Sequence, residues 1–468
     1  MIPTIPRIWI WAITLVALVQ PFGSGLNDLA RFREGEPPGE PSVLSARPEP
    51  RPPAVTQVDF AAEVPALQSS PSTVQEEKSQ ESSKPPSANL EFIDTGFENA
   101  SPVWYETAAD GTILVYLLYD HERSSPNRAA GHFHFRLHAK PGSVLTLEFK
   151  NLENVYNGRR ASVANELKAA VTSTDGKTWR PLALEALAVD RVRLTVTMPG
   201  PVLYVARVEP YRLSDLEKWL AKIAKNPLVT ITPIGKTAEG RPLEIVRVGH
   251  ESAPYRVFLR ARAHAWEPGG NWVLQGLVGR LLKDDDDAKL FLAKYSVQIM
   301  PMANKDGVAR GRTRFNVRGK DLNREWNKPA DATLSPENYA LETWLEGMIK
   351  QGKAPNLALE LHNDGGGRLH ISRPPVPDLG RHLSRMKTFE DLLRKHTWFT
   401  EGSTNEAFRN AGTLGDGWLE RYGIDAAVHE LNVNWIAGLK DYPSGRNWER
   451  YGEQLARVFF EYFEVVSP

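Results

Sequence analysis

Short alternations of apolar and polar residues dominate the chain from about residue 89 to 208. Residues 113–119, 132–137, 143–149 and 192–196 each read as a strand, and the turn pairs Asp110-Gly111, Pro141-Gly142 and Asp175-Gly176 separate them. Strands this short and frequent predict a small all-β sandwich. After Pro210 the period changes. Leu216, Leu220 and Ile223 recur at helical spacing, with Ser214-Asp215 expected to cap the front of that helix. Strand-like runs at 243–248, 255–259, 295–300 and 357–361 then alternate with helical stretches at 272–282 and 337–349. This alternation predicts an α/β/α sandwich with a mixed, largely parallel, buried sheet. Active sites of such folds lie beyond the carboxyl ends of the strands. His264 and His362 both follow such ends.

The pattern is different at the N-terminus. Arg7 precedes an apolar run over residues 8–19, shorter than the roughly 20 residues that a membrane-spanning helix needs. It reads as the core of an export signal, with Gly23, Ser24 and Gly25 after it but no A-x-A cleavage site. An uncleaved anchor is the alternative, and it would make this segment the only membrane tether. Proline clusters and Ser, Gln and Glu runs follow, which offer little apolar surface to offset the cost of ordering. The expected organisation is therefore an export signal or anchor at 1–25, a disordered linker at 26–88, a β-sandwich at 89–208 and a catalytic domain at 209–468. The protein is expected to be exported, to the periplasm or the cell exterior.

Composition narrows the chemistry. Lys plus Arg and Asp plus Glu number 57 each, so no net charge draws the chain to nucleic acid. There are no cysteines. Disulfides, thiolate metal sites and a Cys nucleophile are thereby excluded, and any metal must be held by imidazole and carboxylate, which suits a catalytic zinc.

His264 and Glu267, in R-A-H-A-W-E-P-G-G, form a His-x-x-Glu pair, and His362 ends a later apolar run. Two imidazoles and one carboxylate make the three-ligand set of a catalytic zinc with one position open. Such an ion brings the pKa of its water toward about 7. Hydrolysis then needs a carboxylate to take the water's proton, and Glu430 is the candidate. His132, His134 and His138 alternate along one predicted strand, but they read as polar positions on a half-solvated face.

Residues 209–466 resemble the zinc metallocarboxypeptidase family, in particular the cytosolic-carboxypeptidase-like branch, which places a β-sandwich before the catalytic domain. The segments that carry the resemblance are I-G-K-T-A-E-G-R-P-L at 234–243, H-A-W-E, P-M-A-N-K-D-G-V at 301–308 and G-R-T-R-F-N-V-R-G-K-D-L-N-R-E-W at 311–326. The resemblance implies one zinc ion held by His264, Glu267 and His362, with Glu430 as general base. It makes Asp321 the acid that orients a ligand histidine. Arg314 becomes the group that polarises the scissile carbonyl, and Asn323 and Arg324 the pair that grips the terminal carboxylate of a peptide or protein substrate. Lys305, Glu325 and His429-Glu430-Leu431 depart from the family's usual residues. No tyrosine matches the family's substrate-capping residue; Tyr422 and Tyr442 are candidates without a matching context. Glycines 365–367, after His362, are expected to turn the chain. Arg310, Arg312, Arg318 and Arg409 read equally as surface residues or as selectors of an acidic terminal side chain.

Two other functions fit the same residues. E-L-H-N-D and D-L-N-R also resemble segments of the aspartoacylase group, which implies an acylase for N-acyl amino acids. The second is a peptide-binding relative without catalysis.

Overall fold

The computed structural model describes residues 89–409 and 412–466, and every structural statement below concerns those residues. The expected export segment and the linker lie outside them. All the described residues belong to one compact unit.

The first part is a sandwich of two five-stranded sheets. One has the order Leu90–Asp94, His134–Ala139, Val202–Ala206, Ala169–Ser173 and Arg180–Ala183; the other runs Glu185–Ala188, Arg191–Thr197, Val144–Lys150, Ile113–Leu117 and Val103–Thr107. Alternate residues point inward, so Phe133, Phe135 and Leu137 meet Leu145, Leu147 and Phe149 in one core. A small ribbon made of Asp120–His121, Arg128–Ala129, Glu153–Tyr156 and Arg159–Ser162 completes it. This ribbon reaches the rest of the molecule: Asp120 Oδ2 accepts the backbone N–H groups of Arg314 and Phe315, both at 2.8 Å.

The expectation for the three histidines needs correction. His134 is 2% exposed, with Nδ1 at 3.3 Å from Asn99 Oδ1, and His132 Nε2 lies 3.2 Å from the Asn99 carbonyl oxygen. His132 and His138, the latter stacked on Phe92, are each partly exposed, so the expectation fails for His134 alone. The sandwich packs its end against the following layers, which a strand pattern alone does not reveal.

The second part is built on a seven-stranded mixed sheet. Its order is Val229–Lys236, Pro242–Val248, Tyr295–Met300, Tyr255–Ala261, Leu357–Asp364, Asp425–Asn432 and Leu369–Ile371. The four strands from Tyr295–Met300 to Asp425–Asn432 are mutually parallel, and the outer ones pair antiparallel. Every residue of Tyr295–Met300 is buried, as parallel strands covered on both faces require. Along Tyr255–Ala261, Val257 and Leu259 enter one core and Phe258 enters the other, so helices must cover both faces.

One face carries Gly269–Leu281, Leu379–His396 and Gly445–Val465; the other carries Pro336–Lys350 and Leu414–Tyr422. Gly269–Leu281 and Gly445–Val465 cross closely because glycine stands at the contact on both. A Cβ on Gly276 would lie 1.9 Å from the Glu449 carbonyl oxygen, and one on Gly452 would lie 1.9 Å from that of Val273.

At the opening helix, Leu213–Ile223, Asp215 caps the front as expected, whereas Ser214 does not. Arg212 is the cap residue, and Asp215 accepts its backbone N–H at 2.9 Å and its guanidinium Nε at 2.9 Å. The backbone N–H of Ser214 instead donates to Glu98 of the sandwich at 2.8 Å. A tertiary partner has replaced the local hydroxyl cap.

Candidate metal and active site

Parallel strands Tyr255–Ala261 and Leu357–Asp364 are in register with Arg260 opposite Glu360. These two side chains form a fully buried ion pair at 2.8 Å. Arg260 also donates to the Leu322 carbonyl at 3.1 Å and to Asn338 Oδ1 at 2.7 Å. The Leu322 carbonyl accepts further from Trp326 Nε1 at 3.0 Å and Asn338 Nδ2 at 3.0 Å. The D-L-N-R turn is thus fixed from below at the carboxyl end of the sheet. Sequence reasoning missed Arg260 and Glu360, because an Arg and a Glu inside apolar runs show no partner until the register is known.

Just past those strand ends, the ligand candidates converge. His264 Nδ1 lies 2.9 Å from Glu267 Oε1, His362 Nδ1 lies 2.7 Å from Glu267 Oε2, and the two Nδ1 atoms are 3.1 Å apart. All three residues are at most 3% exposed. Three donor atoms facing one point, with no cation among them, suit a divalent ion of zinc's preferences. The other edge of each imidazole is also held. His264 Nε2 is 3.1 Å from Asp321 Oδ1, and His362 Nε2 is 3.3 Å from Glu360 Oε2 and 3.0 Å from Asn323 Nδ2. Asp321 behind the Nε2 edge of His264 favours a proton there, which leaves the Nδ1 lone pair of that ring for a metal. Burial opposes ionisation of Glu267, yet the two imidazoles hold its carboxyl below the usual range.

Asp321 joins the ligand to the arginines. Its Oδ2 accepts Arg314 Nε at 2.7 Å. Burial works against its charge, but Arg314 and then His264 hold its carboxyl well below the ordinary value. Arg314 also lies over the Tyr156 ring, 5.0 Å from its centroid. Arg324 donates to the Asn323 carbonyl at 2.8 Å. A cavity of about 280 Å³ is lined by Arg314, Asp321 and Arg324 on one side and by Tyr156 and Asn157 of the sandwich on the other. Asn323 is committed within the protein: its Oδ1 accepts the Leu414 N–H at 2.9 Å, and its Nδ2 sits against His362.

Glu430 lies on the neighbouring parallel strand, in register with His362. Burial, and next the nearby Asp364, push its carboxyl pKa well above the usual range. Ligand atoms of Asp364, His370 and Glu430 all lie within 4.8 Å of one another. Asp364 Oδ1 accepts the N–H groups of Gly366 and Gly367 at 2.8 and 2.5 Å, so these glycines do turn the chain.

Other candidates fall elsewhere. Tyr422 is bound to Glu342 and Glu346 at 3.1 and 3.2 Å, and Tyr442 packs edge-on against Trp435. The tyrosine at the cavity is Tyr156, which stands in the sandwich ribbon ahead of every matched segment and is therefore invisible to motif reading; burial pushes its phenol pKa up to about 12. Arg310 pairs with Glu239 at 2.5 Å, and Arg318 donates to the Thr333 carbonyl. Arg312 lines a separate cavity at the sandwich junction, whereas Arg409 lines one with His370 and Arg373.

Residues 216–346 match the family model described as zinc carboxypeptidase. The chain is 36% identical over 136 residues to mouse cytosolic carboxypeptidase 4, covering 29% of this chain and 12% of that protein. It is 29% identical over 296 residues to cytosolic carboxypeptidase 6 of Caenorhabditis elegans, covering 57% and 63%. The chain thus spans less than two thirds of either relative. A crystal structure of a metallo-carboxypeptidase from Burkholderia cenocepacia superimposes with a TM-score of 0.68 at 20% identity, covering 80% of this chain and 99% of that one. At that identity the likeness establishes the shared fold.

Proposed function

Since this chain carries a zinc carboxypeptidase domain, we propose that it hydrolyses the C-terminal peptide bond of peptides or proteins. The observation that carries the reading is the meeting of three ligand atoms from His264, Glu267 and His362 beside Arg314 and Glu430. Held by those three residues, Zn²⁺ would supply a Lewis acid for the scissile carbonyl and for the attacking water.

The chain's own groups do the rest. Arg324, lining the cavity, grips the substrate's terminal carboxylate with the planar fork that such a group fits. Asn323 takes part from behind by fixing His362 and the Leu414 N–H. Arg314, its Nε committed to Asp321, offers its remaining N–H groups to the carbonyl oxygen as negative charge builds there. Glu430 accepts a proton from the water and passes it to the leaving nitrogen. Burial, by raising the pKa of this carboxyl, makes its carboxylate a stronger base toward that water.

The acylase alternative uses the same metal ligands. The family match over 216–346 and the sandwich wall at Tyr156 favour a peptide. Purified protein stripped with a chelator and then reloaded with zinc should lose and regain cleavage of peptides with a free C-terminus. Full activity after complete metal removal would sink the reading, and faster turnover of N-acetyl amino acids than of peptides would move it to the acylase. Glu430→Gln should lower kcat by roughly 10²–10⁴ while zinc stays bound; unchanged turnover would remove Glu430 from the mechanism.

We also propose export, on the apolar run at residues 8–19 behind Arg7 and the proline-rich stretch after it. Fractionation of expressing cells with N-terminal sequencing tests this. Export predicts recovery outside the cytoplasm, and a protein found only in the cytoplasm with its N-terminus intact would overturn it.

A further inference from the structure

We propose that Trp266, which directly precedes Glu267 and takes no part in the hydrolysis steps above, is a positioning residue through which the β-sandwich holds the ligand Glu267 in place. The proposal rests on the metal-site reading above and adds the element that makes that site depend on the sandwich.

The indole joins two parts of the molecule. Its Nε1 donates to Glu267 Oε1 at 3.0 Å, the same oxygen that lies 2.9 Å from His264 Nδ1. Its ring is 5% exposed and sits within the sandwich core with Phe133, Phe149 and Leu152 rather than with the cores of the α/β layers. The two ends of one side chain therefore belong to different structures: a ligand carboxylate at the N–H, and the interior of the other β-fold at the benzo edge.

Sandwich atoms close on that ring from two sides. A Cβ on Gly131 would stand 2.4 Å from Trp266 Cζ3, so only glycine lets the Gly131 backbone approach this near. The Arg207 guanidinium covers an indole face, 3.7 Å from the ring centroid. Arg207 is 4% exposed, and its Nε and Nη2 have no hydrogen-bond partner among the described residues. The guanidinium is thus packed on the indole face, and cation–π attraction is strongest where both groups are dry. Arg207 is itself fixed in the sandwich, since its N–H donates to the Phe133 carbonyl at 2.9 Å. The Trp266 backbone is held by the Thr313 carbonyl at 3.1 Å.

A plain packing role would need the ring but not the N–H. The hydrogen bond to Glu267 distinguishes the two, because partners behind metal ligands fix ligand orientation and their loss weakens metal binding by roughly 10–100-fold. Trp266→Phe keeps the ring in the sandwich and deletes the N–H. Gly131→Ala alters only the sandwich and pushes on the ring from behind.

The test uses the full chain and measures zinc affinity by chelator competition, the absorption spectrum of the cobalt-substituted protein and the thermal midpoint of the metal-free protein. The expected result for Trp266→Phe is a zinc Kd raised roughly 10–100-fold, shifted cobalt bands and a metal-free midpoint close to that of the parent. Gly131→Ala should raise the zinc Kd in the same direction; if it does not fold, Trp266→Phe alone decides. A zinc Kd within twofold of the parent and an unshifted cobalt spectrum in Trp266→Phe would overturn the proposal. So would a zinc Kd that changes only in step with a lowered metal-free midpoint. A parent protein that binds no zinc would instead bring down the metal-site reading itself.

Discussion

At the scale of single residues, the site works by giving each polar group one partner behind it and one face open. Arg314 is tied through Nε to Asp321, Asp321 through its other oxygen to His264, and His264 through Nδ1 to the metal side. Arg324 differs, because its guanidinium donates to the carbonyl of its own neighbour Asn323 and to no carboxylate among the described residues. Its carboxylate partner can therefore come from the substrate. Hydrogen bonds to charged groups contribute about 1.5–3 kcal/mol, so Arg324→Ala should raise KM by roughly 10–150-fold with a smaller effect on kcat. Steady-state kinetics on a peptide with a free C-terminus checks this. The same peptide with its C-terminus amidated should be a poor substrate for both proteins and show no difference between them. An equal loss on both peptides would place Arg324 outside the carboxylate grip.

At the scale of elements, the strand and helix patterns were legible because burial is periodic. The run at 295–300 coincides with the strand Tyr295–Met300, and the helix expected at 337–349 is Pro336–Lys350. The helix expected at 272–282 begins earlier, as Gly269–Leu281. Two glycines weaken the helical pattern there, yet the Gly269 N–H finds Asn363 Oδ1 at 2.7 Å. The crossing of that helix with Gly445–Val465 was not legible, since it depends on which glycine faces which backbone. Gly452→Ala tests the crossing. Alanine improves intrinsic helix propensity by about 0.8–1 kcal/mol, but a methyl placed 1.9 Å from a carbonyl oxygen must force the helices apart. Overpacking of this kind costs about 1–3 kcal/mol or more. The clash should win, and thermal denaturation should show a lowered midpoint. A raised midpoint would show that the helices can separate without penalty.

The whole molecule carries a pH liability from histidines it buries uncharged. Burial lowers the pKa of His134 and of His429 to about 3, against about 6.5 for an unfolded histidine. His429 is 1% exposed, with Nε2 at 2.7 Å from the Tyr451 hydroxyl. Between pH 6.5 and 3 the unfolded chain binds more protons than the folded one. Stability from these groups is thus complete above about pH 6.5 and falls as the pH drops, by roughly 1.4 kcal/mol per pH unit for each histidine. Urea unfolding of the metal-free protein at pH 7 and pH 4.5 should show this loss, and His134→Gln should flatten it by about one proton. An unchanged slope in His134→Gln would mean that His134 is charged in the folded state.

The sequence by itself determined the kind of chemistry and the kind of layers. Without cysteine, a ligand set had to come from His and Glu, and a period of two followed by alternating strands and helices requires a sandwich and then a covered sheet. The motif segments also brought forward His264, Glu267, Asp321 and His362, because each lies beside a recognisable strand end or turn. Tertiary structure decided what supports them. Arg260 meets Glu360 only through parallel register, Tyr156 reaches Arg314 only because the ribbon folds over the cavity, and Trp266 leaves its own domain's core for that of the sandwich. Each of these contacts joins residues far apart in the chain, and no periodicity within one segment encodes the partner in another.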